Sequence, residues 1–158
     1  IIQVVTSGSG TSGTGNKIQS YKIHRSEVYI FQIPEHGGLA AALNQDNTPN
    51  TRQNPAKRGS SVVLFGTGGG ETEPASVSGE VTPLMPYPIK EPYLRARIPG
   101  SAYLTIEYAG GAPGLVSGVT QINLRIPADL PDSALTDGLL PIYISTSSGT
   151  SMAHIAVE

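Results

Sequence analysis

Along most of this chain apolar and polar residues trade places with a period of two, the pattern of strands half buried in a sheet. The clearest run is Gln121-Ile-Asn-Leu-Arg-Ile126. Ile122, Leu124 and Ile126 fall on one face, and Pro127, which cannot donate to a ladder, ends the strand. Residues 102–108, 140–145 and 152–157 read as further strands, as do 27–33 (closed by Pro34), 60–65 and 93–98. Near the start, residues 1–5 are strand-like, and 17–23 alternate with one slip at Gln19-Ser20, leaving Tyr21 and Ile23 on one face. Between these two runs, residues 6–16 are almost entirely Thr, Ser and Gly, which makes a wide loop. Leu39-Ala-Ala-Ala-Leu43 is the one helix-like stretch; it is too short to stand alone and reads as a strand or a single turn. Residues 44–50 are a turn cluster, and residues 71–92, with five prolines and few periodic apolar positions, read as a long irregular or edge segment. About ten strands without a helix predict an all-β fold, an immunoglobulin-like β-sandwich with an N-terminal strand extension.

Composition agrees with short strands joined by turns: 19 glycines and 13 prolines in 158 residues. The length suits one domain, with or without an extension. Only 14% of residues are charged, the formal net charge is −2, and of ten basic residues only Lys57 and Arg58 are adjacent. That pattern argues against a nucleic-acid partner, whose phosphates need clustered cations. The absence of cysteine removes disulfides and thiolate metal sites without fixing a compartment. No run of 18 apolar residues offers a membrane span. Ile1-Ile-Gln-Val-Val5 lacks a charged leader, so an exported protein is expected here as its mature form or a fragment.

Several motifs invite a chemical reading, and each has a simpler one. Gly149-Thr-Ser-Met-Ala153 matches the pentapeptide around the nucleophile of subtilisin-like proteases. There the serine opens a long helix and draws on a His and an Asp from earlier motifs. Here seven residues follow Ser151, and His36-Gly-Gly38 is a poor substitute for a His-Gly-Thr-His motif, so a β-turn is expected and no enzyme. Gly66-Thr-Gly-Gly-Gly70 lacks the Gly-Lys-Ser/Thr of a phosphate loop and runs into Glu71 and Glu73; it reads as a turn leaving a strand. His24, His36 and His154 are scattered, with no metal-ligand spacing. Glu71, Glu73 and Glu80, or Asp129, Asp132 and Asp137, could hold Ca²⁺ weakly, but solvated loop acids are the better reading. No metal or cofactor is expected. Tyr87 and Tyr93 flank prolines, where a sugar platform or simple packing would both use them.

Three segments together resemble a known type of secreted module. They are residues 109–130, with the Gly/Pro turn and proline-ended strand, Asn54-Pro-Ala-Lys-Arg-Gly59, and Val62-Val-Leu-Phe-Gly-Thr-Gly68. The module is the Solibacter-type uncharacterised C-terminal β domain family of acidobacterial exported proteins. The resemblance implies an extracellular or cell-surface structural or binding module. It covers most of the chain and is diffuse over residues 71–100. Ile2-Gln-Val-Val-Thr-Ser-Gly-Ser-Gly-Thr-Ser12 echoes Ile142-Tyr-Ile-Ser-Thr-Ser-Ser-Gly-Thr-Ser151. Since modules of this family follow one another and end in such a hairpin, residues 1–33 are expected to be the last hairpin and linker of a preceding module, and 34–158 one sandwich.

That division leaves Ile2, Val4, Tyr21 and Ile23 without the rest of their parent sheet. Pairing with a neighbour's edge would bury them. A subunit that both gives and receives a strand builds a head-to-tail fibre. The expected function is therefore a non-enzymatic structural subunit that associates with itself by strand addition. A carbohydrate-binding or spacer module of a larger exported protein is the alternative.

Overall fold

The computed structural model describes residues 2–6, 17–21, 26–100 and 103–158. Strands β1 (Ile2–Thr6) and β2 (Lys17–Tyr21) form an antiparallel hairpin. Ile2 stands opposite Tyr21, Val4 opposite Gln19, and Val5 opposite Ile18. Opposed residues share a face, so Ile2, Val4 and Tyr21 lie on one side of the hairpin and Val5 and Ile18 on the other. Among the described residues, neither strand pairs with anything else.

Ten more strands follow: β3 (Tyr29–Ile30), β4 (Gln32–Ile33), β5 (Leu39–Ala40), β6 (Ala42–Asn44), β7 (Ser61–Thr67), β8 (Arg95–Arg97), β9 (Tyr103–Gly111), β10 (Val119–Arg125), β11 (Leu139–Ser145) and β12 (Thr150–Ala156). The helical content of the described residues is two single 3-10 turns, Pro34–His36 and Asp132–Ala134. The fold is all-β, as the period-two pattern requires.

The pairing order is β3-β7-β10-β9 in one layer and β8-β11-β12 in the other, every pair antiparallel. Taking β3, β7, β8, β9, β10, β11 and β12 as seven consecutive strands, the first, second, fifth and fourth make one sheet and the third, sixth and seventh the other. That is the order of an immunoglobulin constant-type sandwich. The layers are not separate, because Tyr103 and Leu104 at the start of β9 also pair with Arg97 and Ala96 of β8. One continuous sheet thus folds over a single core.

That core is built from alternate positions of each strand. Val62 and Leu64 of β7, Ile122 and Leu124 of β10, Leu140, Ile142 and Ile144 of β11, and Ala153 and Ile155 of β12 are all buried. Ile126, beyond the end of β10, continues the inward row at 1% exposure. As its alternation predicts, β10 is central, flanked by β7 and β9.

Three departures from simple alternation shape the sandwich. The first edge strand is interrupted: Phe31 N–H donates to the Phe65 carbonyl, Phe65 N–H donates to that of Ala41, and residues 32–40 loop out between. This excursion contains β4, the Pro34–His36 turn and β5, and it delivers Leu39 and Ala40 into the interior. Hence Leu39–Leu43, ambiguous in sequence, is extended. The second is a bulge in β9. Asn123 faces Tyr108 while Leu124 faces Ile106, so Glu107 is the extra residue and the inward positions shift from Leu104 and Ile106 to Ala109. The third caps the last strand. Buried Asn50 accepts from Ala156 N–H (2.8 Å) and donates to the Ala156 carbonyl (2.9 Å), and Ala56 pairs in parallel with Val157. A side-chain amide thereby takes the place of a neighbouring strand.

Candidate functional site

Antiparallel pairing gathers three connections at one end of the sandwich. They are residues 68–94 after β7, 112–118 after β9 and 146–149 after β11. Glu27 arrives at the same end, where its N–H donates to the Gly68 carbonyl. Loops carried by a rigid sandwich are where binding residues most often sit.

The proline-rich connection is an edge segment, for a physical reason. Residues 87–89 run beside the end of β9: Ile89 N–H donates to Ala109 and Gly111 N–H to Tyr87. Residues 71–73 add outside them through Glu73 N–H to Pro88 and Lys90 N–H to Glu71. Prolines are tolerated there because an edge leaves one row of donors unneeded. The ion pair Lys90–Glu73 (2.5 Å) ties the two stretches, and the Glu73 carboxylate beside Lys90 holds the ammonium above its usual pKa.

Between these stretches and the β11–β12 turn lies a cleft of about 280 Å³ lined by Ser26, Gly69, Lys90, Glu91, Tyr93 and Ser147. Glu91 is its hub. Its carboxylate accepts from the Ser26 and Ser147 hydroxyls and from Tyr93 N–H. Partial burial pushes its pKa up, but the three hydrogen bonds outweigh this and hold it below the ordinary glutamate value. The acid therefore joins three segments distant in sequence. Tyr93, 64% exposed, stands at the rim. The other tyrosine singled out with it, Tyr87, is half-buried, and its N–H donates to the Tyr108 hydroxyl. The two rings do not line this cleft together.

The glycines at the end of β7 and just beyond it are explained by packing. A Cβ on Gly66 would strike the Tyr29 carbonyl, and one on Gly68, at φ 81°, the Glu27 carbonyl. The first edge strand closes on β7 there because these side chains are missing. Ser151 lies within β12 opposite Ile144, not at a helix start, and its buried Oγ has no hydrogen-bond partner among the described residues. His154 is half-buried in the same strand, His36 ends the first 3-10 turn, and His24 lies outside the described residues. Asp132 pairs with Arg58 and Asp137 with Arg52, as Glu73 does with Lys90. Among the described residues no three His, Asp or Glu side chains converge as a metal site would require.

The expected self-association residues fall on the hairpin. Ile2, Val4 and Tyr21 share one of its faces, and Ile23 lies outside the described residues. Nothing in the sequence pattern marks Ser26, Glu91 and Ser147 as a group. An isolated serine or glutamate carries no periodic signal, and 65 residues separate Ser26 from Glu91.

The strand order and loop end define the class: an immunoglobulin-like β-sandwich preceded by a separate β-hairpin. Comparison with protein-family models, curated proteins and solved structures finds no match.

Proposed function

We propose that this chain is a non-enzymatic structural subunit of an extracellular or cell-surface assembly, akin to the modules of acidobacterial exported proteins, and that it associates with itself by strand addition. The observation that carries the reading is the β1–β2 hairpin. It pairs with no strand of the sandwich among the described residues and carries Ile2, Val4 and Tyr21 on one face and Val5 and Ile18 on the other. A two-stranded ribbon is marginal in water by itself. Addition to a neighbour's sheet edge would complete its hydrogen bonds and cover an apolar face.

Charge supports the same reading. Residues 1–25 hold Lys17, Lys22 and Arg25 and no acid, whereas residues 26–158 hold all 12 acids and only seven basic residues. A cationic donor and an anionic acceptor attract, and a head-to-tail contact repeats that attraction along a fibre.

The alternative, a carbohydrate-binding or spacer module, draws on the exposed Tyr93 ring beside the Glu91 cleft. Electron microscopy and sedimentation of the intact chain and of a chain lacking residues 1–21 separate the two readings. Strand addition predicts assemblies from the intact chain, none from the shortened one, and recovery when the missing peptide is supplied in trans. An intact chain that stays monomeric at high concentration, or a shortened chain that assembles as before, ends the proposal. Retention on a glycan column without self-assembly supports the alternative.

A further inference from the structure

The solvent face of the β8–β11–β12 layer carries a row of side chains fixed by strand register. Met152 stands opposite Tyr143, Tyr143 opposite Arg97, and Arg97 opposite Tyr103. Met152 is 46% exposed, Tyr103 is 68% exposed, and Arg97 is exposed. Alternate residues along each strand point into the core, so all four project from one flat surface. Arg95, two residues before Arg97 and about 7 Å along the strand, projects from the same surface beside Ser145.

Both arginines lack a carboxylate. Arg52, Arg58, Lys90 and Arg125 each pair with an acid. All 12 acids of the chain lie among the described residues, and none pairs with Arg95 or Arg97. Arg95 instead donates to the Pro92 and Leu94 carbonyls. The Arg97 guanidinium lies 5.2 Å from the centre of the Tyr143 ring. Stacking holds the guanidinium in place and leaves its charge uncompensated. On a chain with net charge −2, this is a local cationic spot with an open tyrosine ring next to it.

We propose that this face binds an acidic polysaccharide. A uronic-acid unit offers what the row lacks: a carboxylate for the Arg97 fork and an apolar ring face for Tyr103. Tyr103 and Arg97 sit on adjacent strands about 4.8 Å apart, close to the step between neighbouring sugars, so one chain laid across the strands meets both. Arg95 offers a second anion contact. A nucleic acid is disfavoured, since two arginines give too few phosphate contacts. Arg97, Tyr103, Tyr143 and Met152 do not line the Tyr93 cleft, although Arg95 reaches the Pro92 carbonyl at its wall.

The test is titration of the intact chain with polygalacturonate at low salt, with dextran as the neutral glycan and polyglutamate as the acidic non-glycan. Binding of polygalacturonate alone is expected, weakening as salt is raised. Arg97→Ala and Tyr103→Ala should each weaken it about tenfold or more, equivalent to one good contact. Arg97→Lys should restore only part, because an ammonium neither forks nor stacks as a guanidinium does. Both positions are exposed, and unchanged thermal midpoints will show that the variants fold. No binding of polygalacturonate, equal binding of polyglutamate, or affinity that falls with Tyr93→Ala but not with Arg97→Ala would each overturn the proposal.

Discussion

Leu124 is fully buried at the centre of β10, and its alternation with Asn123 and Arg125 was readable directly. Leu124→Ala should lower unfolding free energy by about 2–5 kcal/mol in urea titration, the range for removing a large core side chain; a loss below about 0.5 kcal/mol would mean the register is off by one. Asn50 is equally buried but was legible only as part of a turn cluster. Its Oδ1 is the acceptor for Ala156 N–H, so Asn50→Ala should cost about 1–3 kcal/mol, the penalty for stranding a buried donor. Hydrogen exchange at Ala156 should accelerate with it. Glu107 illustrates pH dependence. Hydrogen bonds from Ser61 (2.5 Å) and from Arg125, with the Arg125 charge, hold its pKa below the ordinary glutamate value. A depressed folded-state pKa gives stability that is present above the unfolded-state pKa and lost as pH falls through the folded one. The denaturation midpoint should therefore drop on acidification, and Glu107→Gln should make that drop shallower. The partly exposed site makes the effect modest.

At the scale of elements, the strands with uninterrupted alternation were the legible ones: β7, β10, β11 and β12 lie within a residue or two of where the pattern puts them. What periodicity could not show was where one strand is split or bulged. β3 and β6 pair with the same strand, β7, yet are separated by an excursion that the sequence presents as ordinary chain. The Glu107 bulge leaves a run that still alternates to the eye while its inward face changes hands. Glycines after β7 read as a turn, and only the approach of residues 27–30 reveals why side chains are excluded there. Gly68→Ala combines a positive φ with a backbone clash, so it should destabilise by about 1–3 kcal/mol. The change should appear first as faster hydrogen exchange at residues 27–31, with β10 still protected. If β10 exchanges as fast as the edge, the first strand is not a separable element.

For the whole molecule, the described core begins at Val28 and runs to Val157, all within residues 26–158. A chain lacking residues 1–25 should therefore keep a β-type far-ultraviolet circular dichroism spectrum without helical minima, and its cooperative thermal transition should stay within a few degrees of the intact chain. Loss of that transition would show that the hairpin is part of the folding unit. The same shortening removes three basic residues and no acid, so any assembly driven by the hairpin should also weaken with salt.

The sequence by itself determined the class of structure and the face that β7, β10, β11 and β12 bury, because alternation, proline stops and glycine turns are local and survive without neighbours. It also determined the split between a cationic N-terminal segment and an acidic body, which is a matter of counting. The tertiary structure alone decided which strands are neighbours, since pairing β9 with both β8 and β10 depends on chain path and not on composition. It also decided the sites. Ser26, Glu91 and Ser147 meet at a loop cluster, and Arg97 stacks on Tyr143 across a strand boundary. Contacts between residues tens of positions apart leave no periodic trace, and only the folded sheet brings them within reach.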